Sequence, residues 1–294
     1  MDNVEIIEVG PRDGLQNEDV CLATTDKLEL VRRLAKAGVG RIEVASFVHP
    51  ERVPQMADAE AVCAGLGDGT SHIGLVLNRR GLERALQTKV GGINFSVSAT
   101  DTFGLRNQGA DRHTGLGALD EMVPAAKSAG RATTAIISVV FGCPYEGEVP
   151  VGQLVAVAER CVVAGADEIA LGDTIGVATP ADVKERVTAV REVTGSLPLR
   201  CHFHDTRNTA VANAVAAFEM GIARLDASVG GIGGCPYAPN ATGNVGTEDL
   251  VYTFERMGIT TGLDLGALID TANWVAGKLG KAPPSMLAKA GPFP

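Results

Sequence analysis

A single closed (β/α)8 barrel is the fold predicted for this 294-residue chain, and three observations predict it. Short β-branched runs alternate with longer alanine-rich segments of helical period. There are about eight such runs, often starting about 30 residues apart, the size of one βα unit. No linker, low-complexity tract or change of composition interrupts them. Alternation of this kind builds one parallel-sheet domain, and eight units of about 250 residues in all suffice to close it. A doubly wound open sheet is the alternative, but no GxGxxG opens a helix after an early strand.

The strand candidates, in order, are Val4–Val9, Arg41–Ala45, His72–Leu77, Gly92–Ser98, Thr134–Phe141, Asp167–Leu171, Leu197–His204 and Arg224–Val229. Each is followed by a helical stretch. Several helices end in an Ala-Gly pair before the next strand (Ala37-Gly38, Ala129-Gly130, Ala164-Gly165), where glycine serves as a left-handed C-cap. The glycine-rich piece 230–234 follows the last strand, and beyond Val251 the chain reads as a short helical extension with a Pro-rich end. The whole of 1–294 is expected to be one catalytic domain.

Bulk properties narrow the function. Hydrophobic residues make up 45% and charged residues 21%, as in a soluble globular protein with a large core. A net charge of −9 argues against a nucleic-acid surface or binding to anionic membranes. An anionic ligand would need a local basic patch. The N-terminus MDNVEIIEVGPRDG has no basic segment before an apolar run, so no signal peptide is expected. No apolar run reaches the roughly 18 residues of a membrane span. The six cysteines form no CxxC pair, and free thiols in a reducing cytoplasm are expected.

In such barrels the chemistry sits at the C-terminal ends of the strands. Those positions carry Arg12 and Asp13 after strand one, Glu43 in strand two, Asn78 after strand three, Asp173 after strand six, then His202, His204 and Asp205, and finally Cys235 and Asn244 in the loop after strand eight. His202 and His204 are two residues apart in a strand and so share a face. An isolated HxH is more readily two partly buried histidines. Taken singly, Asp173-Thr174 and Asp205-Thr206 read as helix caps. Converging on one face, Asp13, His202 and His204 form a mixed oxygen and nitrogen set suited to a divalent ion, to which Asn244 could add a neutral oxygen. Ligand chemistry alone does not separate Mg²⁺ or Mn²⁺ from Zn²⁺, Co²⁺ or Fe²⁺. Cys143, in GCPYEG, reads as a small buried hydrophobe. Cys235, flanked by glycines, could be an acid or base on a closing loop.

Several long segments, in order, carry a resemblance: VEIIEVGPRDGLQNE, IEVASFVHPERVPQMAD, GCPYEG, EIALGDTIGVATP, HFHDT and GGIGGCPYAPNATGNVGTEDLVY. Together they resemble the 3-hydroxy-3-methylglutaryl-CoA lyase family of metal-dependent lyase/synthase TIM barrels, over nearly the whole chain. The resemblance implies cleavage of a tertiary 3-hydroxyacyl-CoA to acetyl-CoA and a keto acid, acetoacetate in the namesake reaction. It implies that Asp13, His202, His204 and Asn244 bind Mg²⁺ or Mn²⁺, and that Arg12 stabilises the enolate oxygen. Asp173 would take part in removing the hydroxyl proton and Cys235 would protonate the acetyl-CoA carbanion. Glu43 and Glu248 match positions that orient the metal-binding residues. A homodimer is implied as well.

Three loops depart from the family pattern: Val76 to Gly81 where TPNLKG is typical, Thr100-Asp101 for a Ser-Glu pair, and Arg207-Asn208-Thr209 after HDT. These loops help shape the acyl pocket in the family, which leaves citramalyl-CoA or a longer-branched 3-hydroxyglutaryl-CoA as alternative substrates. Arg106 and Arg207 could meet a carboxylate or be solvated. Arg79, Arg80, Arg106 and Arg112 are candidate CoA contacts, with solvation the bland reading for most. An acetyl-CoA-condensing synthase or pyruvate-type aldolase on the same barrel is a further reading, disfavoured by the absence of extra C-terminal domains and by GGCPYA. So is a catalytically silent acyl-CoA-binding barrel, disfavoured by the full polar set.

Overall fold

The computed structural model describes residues 2–235 and 238–293, with the backbone alone for 235 and 238–242. Eight strands run parallel: β1 Glu5–Glu8, β2 Arg41–Ser46, β3 Ser71–Val76, β4 Gly92–Ser98, β5 Ala132–Ser138, β6 Glu168–Asp173, β7 Leu199–Phe203 and β8 Arg224–Ala227. They pair in sequence order and close, with Glu5 to Glu8 of β1 in register with Arg224 to Ala227 of β8. The predicted barrel is the fold. Between and after the strands lie the helices α1 Thr24–Lys36, α2 Ala59–Ala64, α3 Arg79–Leu86, α4 Asp101–Gln108, α5 Arg112–Ser128, α6 Val151–Val163, α7 Pro180–Thr194, α8 Ala210–Glu219, α9 Thr247–Arg256, α10 Leu265–Leu279 and α11 Leu287–Ala290. A two-residue strand β9 (Gly234–Cys235) pairs antiparallel with β10 (Ala238–Thr242) in the loop after β8.

The glycines of the three Ala-Gly pairs take φ of +97° (Gly38), +72° (Gly130) and +84° (Gly165), as a helix stop requires. Gly92–Ser98 is as expected, the other strands differ from expectation by one to three residues at one or both ends, and two of these shifts bear on the site. The fifth strand ends at Ser138, three residues before Phe141, because Val139 takes a positive φ of 54° and turns the chain. The sixth extends to Asp173, so that this aspartate closes the strand instead of opening the loop.

The interior of the barrel is not purely apolar. Arg200 of β7 has no solvent exposure and lies against Glu168 (3.5 Å), Asp226 (3.3 Å) and Asn94 (3.3 Å). Glu168 also takes Arg41 and Arg224 at 2.8 Å each, and these cations hold its carboxyl at about 2 despite burial. Asn94 donates in turn to Glu43 (2.7 Å), and Glu43 accepts from Arg12. A run of ion pairs and hydrogen bonds therefore links the middle of the barrel to its mouth. Arg200 Nε and Nη1 and Asp226 Oδ1 have no hydrogen-bond partner among the described residues, so ion-pair attraction in the buried interior holds this part of the network.

Among the described residues no helix is long and apolar enough to cross a membrane. Cys21, Cys63, Cys143, Cys161 and Cys201 are free thiols, as expected. Cys143 is buried and accepts a hydrogen bond from Thr100, in keeping with a packing role.

Candidate metal-binding active site

The GPRDG segment after β1 forms a single wide turn in which the amides of Arg12, Asp13 and Gly14 all donate to the Val9 carbonyl (3.1, 2.7 and 3.2 Å). One-turn bulges of this π type are frequent at functional sites because they re-aim successive side chains. The flanking glycines are sterically required. A Cβ on Gly10 would lie 2.6 Å from Glu8 Oε1, and one on Gly14 would lie 2.7 Å from Ile232 and 2.8 Å from Ser228 Oγ. Arg12 and Asp13 therefore project from this turn into the mouth.

β7 and the residue that follows it deliver the two histidines, with ring centroids 5.1 Å apart. Each Nε2 faces the same carboxylate oxygen: Asp13 Oδ2 lies 3.9 Å from His202 and 3.7 Å from His204. These separations are too long for hydrogen bonds. They suit three ligands of one ion, since metal–ligand bonds of about 2.0–2.2 Å hold neighbouring ligands roughly 3–4 Å apart. One ligand atom from each of the three residues lies within 4.8 Å of the others.

Asn244 joins the group through an isolated bridge to His204 and donates from Nδ2 to Asp13 Oδ2 at 2.9 Å. Its Oδ1 is buried and has no hydrogen-bond partner among the described residues, the condition of a ligand oxygen awaiting a cation. The donor set and the orphaned oxygen both fit a divalent ion.

The surroundings tune the set. Asp226 Oδ2 lies 3.3 Å from His202 Nδ1. A carboxylate at that nitrogen fixes ring orientation and leaves Nε2 free to ligate. Burial alone would raise the Asp13 carboxyl, but the Arg12 guanidinium and the two imidazoles outweigh it and hold the group well below the usual carboxylate range. Arg12 bonds to Asp13 and is gripped by Glu43, whose Oε2 takes Nε at 2.6 Å and Nη2 at 2.5 Å. Burial opposes its charge, and Asp13 and Glu43 overcome that cost to raise its pKa. Glu43 itself has no exposure.

Asp173 is 1% exposed and accepts from the amides of Val177 (2.9 Å) and Ala178 (3.2 Å), while burial raises its pKa. It thus clamps the loop after β6 as a cap would. Its neighbours Gly172 and Thr174 line the cavity. Asp205 accepts from the Ala210 amide at 2.9 Å, also cap-like. Glu248 accepts from the Gly230 amide (3.0 Å) and from Ser285, bracing the glycine turn after β8, with burial raising its pKa to about 7.

The side chain of Cys235 lies outside the described residues. The root of its loop is fixed: Gly243 N donates to Gly233 O (3.1 Å), Glu18 accepts from the Gly233 amide (2.9 Å), and Lys281 holds Glu18 at 2.6 Å. A Cβ on Gly233, which has φ +105°, would meet Asn244 Nδ2 at 2.8 Å and Gly14 Cα at 3.1 Å. The loop therefore springs from beside the metal-ligand group.

The mouth encloses a cavity of about 170 Å³. Its lining combines Arg12, Asp13, His202 and His204 with the apolar Leu75, Leu77, Phe103 and Ile136 and with Ser96 and Ser138. Leu77 belongs to one of the divergent loops. Arg207 is outside this lining and donates to the carbonyls of Ile175 (2.8 Å) and Gly176 (2.9 Å), and Arg106 stacks on Tyr145 at 4.4 Å. Neither meets a carboxylate among the described residues. Sequence reasoning missed Asp226, Asn94 and Arg200. A charged residue within a predicted strand was the signal available for Asp226, which the barrel places in register with His202.

Comparisons with known proteins agree with this geometry. The family model described as HMGL-like matches residues 3–275. A hydroxymethylglutaryl-CoA lyase of Bacillus subtilis (strain 168) is 44% identical over 287 residues, covering 96% of this chain and 95% of its own. An (R)-citramalyl-CoA lyase of Chloroflexus aurantiacus is 38% identical over 304 residues, covering 99% and 96%. Among solved structures, an HMG-CoA lyase from Acinetobacter baumannii in complex with coenzyme A and 3-methylmalate superposes with a TM-score of 0.94 at 37% identity, covering 99% of this chain and 96% of that one. With the closed barrel, the candidate metal-ligand triad at its mouth and 44% identity over nearly the full length all in agreement, the chain belongs to the HMGL-like family.

Proposed function

We propose that this protein is a divalent-metal-dependent carbon–carbon lyase. It cleaves 3-hydroxy-3-methylglutaryl-CoA to acetyl-CoA and acetoacetate, and residues 1–294 act as one catalytic domain. The observation that carries the reading is Arg12 set directly beside the Asp13–His202–His204 group, a buried guanidinium adjoining a metal-ligand set at the barrel mouth. Near full-length identity to hydroxymethylglutaryl-CoA lyases supports the substrate class.

Asp13, His202, His204 and Asn244 would hold the ion, with Mg²⁺ or Mn²⁺ favoured by the family. Bound there, it would supply Lewis acidity to the substrate's C3 hydroxyl and carboxylate oxygens. Retro-aldol cleavage breaks C2–C3 as the C3 hydroxyl loses its proton, and the electron pair passes to the thioester as an enolate. Asp173 takes part in accepting that proton, its basicity raised by burial. Arg12 stabilises the enolate oxygen, and because Glu43 fixes its guanidinium before substrate arrives, little reorganisation is needed in the reaction. Cys235 returns a proton to C2, completing acetyl-CoA. Glu248 acts through the glycine turn at the root of the Cys235 loop. The apolar wall of Leu75, Leu77, Phe103 and Ile136 takes the 3-methyl branch.

A second reading keeps the mechanism and takes (R)-citramalyl-CoA. The 38% identical Chloroflexus lyase and the divergent Leu77 in the cavity wall favour it. The deciding experiment is acetyl-CoA release from each thioester with Mg²⁺ or Mn²⁺ and then with EDTA. Metal-dependent release from 3-hydroxy-3-methylglutaryl-CoA is expected. Release from citramalyl-CoA alone would shift the substrate, and release unaffected by EDTA would overturn the metal role. A cytoplasmic homodimer is the expected assembly, checked by sedimentation.

A further inference from the structure

Arg200 is the largest fully buried side chain among the described residues, and it takes no part in the steps of cleavage. It stands two positions before His202 on β7, so it shares that face of the strand one layer deeper in the barrel. Its guanidinium reaches toward both halves of the site. Nε lies 3.3 Å from Asp226 Oδ1, and the other oxygen of that carboxylate lies 3.3 Å from His202 Nδ1. Nη2 donates to Asn94 Oδ1 (3.3 Å), Asn94 Nδ2 donates to Glu43 Oε1 (2.7 Å), and Glu43 Oε2 takes Arg12 Nε (2.6 Å). One arm thus ends at a metal-ligand residue and the other at the guanidinium beside it. Glu168, 3.5 Å from Arg200 Nε, keeps Arg41 and Arg224 as partners of its own. Asp226 pairs with no other arginine or lysine among the described residues. A buried arginine whose Nε and Nη1 lack hydrogen-bond partners among the described residues is a poor device for stability.

We propose that Arg200 is a positioning residue for both halves of the reaction: through Asp226 it sets the His202 ring for the metal, and through Asn94 and Glu43 it sets Arg12 for the enolate. The inference rests on the lyase reading above and adds the group that couples its two sides. A carboxylate aims a ligating imidazole only if the carboxylate is itself held. Arg200 holds Asp226 at Oδ1 and leaves Oδ2 for the ring. The Asn94 amide has one acceptor end and one donor end. With its oxygen turned to the Arg200 cation, its NH2 group faces Glu43, and a reversed amide would set oxygen against carboxylate. Burial leaves these attractions unscreened. The metal-ligand group and Arg12 act on one substrate, so a shared anchor fixes the separation the chemistry needs.

The test uses Arg200→Met, which fills the space without charge, beside Asp226→Asn and Asn94→Leu, which open one arm each. Titration of EDTA-treated protein with Mn²⁺, followed by paramagnetic resonance, gives metal affinity. Acetyl-CoA release from 3-hydroxy-3-methylglutaryl-CoA at saturating Mn²⁺ gives kcat and KM, and calorimetric unfolding reports the fold. Arg200→Met should weaken Mn²⁺ binding roughly tenfold or more and lower kcat by a similar factor, with KM nearly unchanged. Asp226→Asn should reproduce the loss of affinity and Asn94→Leu the loss of kcat, and neither should add much to Arg200→Met. A folded Arg200→Met protein with wild-type Mn²⁺ affinity and kcat would overturn the proposal, as would losses that add in full. Arg200→Lys carries the test if the methionine variant does not fold. Its cation reaches Asp226 but offers no Nη2 to Asn94, so affinity should be kept and kcat lost, and a full kcat would overturn the proposal. Weakened Mn²⁺ binding in Arg200→Met, with a wild type that leaves the thioester uncleaved, would uphold Arg200 and sink the lyase reading instead.

Discussion

Replacing Glu43 by glutamine tests the claim that Arg12 is held in advance of substrate. Glu43 is unexposed and accepts hydrogen bonds from Arg12 Nε (2.6 Å) and Asn94 (2.7 Å), with Arg12 Nη2 in ion-pair contact at 2.5 Å. Glutamine preserves the shape but offers one acceptor oxygen and sets an NH2 group against donors. At least one charge-assisted bond is lost, worth about 1.5–3 kcal/mol, and burial leaves no solvent to screen the loss. The freed guanidinium then leans wholly on Asp13, away from the enolate oxygen. If about 2–3 kcal/mol of that loss falls on the transition state, turnover drops about 30- to 150-fold. Acetyl-CoA release gives kcat, plasma emission gives metal content, and calorimetric unfolding shows whether the barrel persists. The expected result is a folded, metal-loaded enzyme with turnover down by roughly two orders of magnitude. Wild-type kcat in the folded variant would refute the prepositioning of Arg12.

Three further outcomes follow from the same geometry. His204→Ala should lose bound metal and nearly all activity while the barrel still unfolds cooperatively; a metal-free variant with full turnover would contradict the ligand assignment. Cys235→Ser should keep metal and fold but lose most turnover, and normal turnover would assign the thiol a structural role. Glu8 accepts from the amides of Gly10 (2.7 Å) and Val229 (2.9 Å) and from Thr247 (2.6 Å), yet burial pushes its pKa up to about 8. A raised carboxyl pKa contributes stability that is full below the unfolded value near 4.5 and is lost as pH rises through about 8. Glu8→Gln should therefore flatten the decline in melting temperature between those limits and match the wild type within about 1 kcal/mol near pH 5; a steeper decline than wild type would show that the carboxylate form is the stabilising one.

Much of the barrel was legible because its signals are local. Strand and helix periods differ, Ala-Gly pairs mark the helix ends, and HxH alternation on a strand forces two imidazoles onto one face. The largest boundary shift was set by turn geometry at Val139, where no residue type announces a positive φ. The candidate site divides in the same way. Arg12, Asp13, His202 and His204 could be nominated because each lies at the end of a strand, and barrel architecture sends those ends to one face.

The sequence by itself determined the eight-unit barrel, the family resemblance and the residue types able to hold a metal. What only the tertiary structure decided is which groups touch. Glu43 grips Arg12 and Asp226 orients His202, whereas Glu248 braces Gly230 and Asp173 is tied to the amides of its own loop. Arg52 and Arg80 are left uncommitted while Arg79, Arg84 and Arg112 are paired. The reason is the length scale of the interactions. Periodicity is written within a few residues, but the hydrogen bond from Asn94 to Glu43 spans 51 positions and the contact of Asn244 with Asp13 spans 231. Such partners are chosen by strand register and barrel closure, and these exist only once the chain has folded.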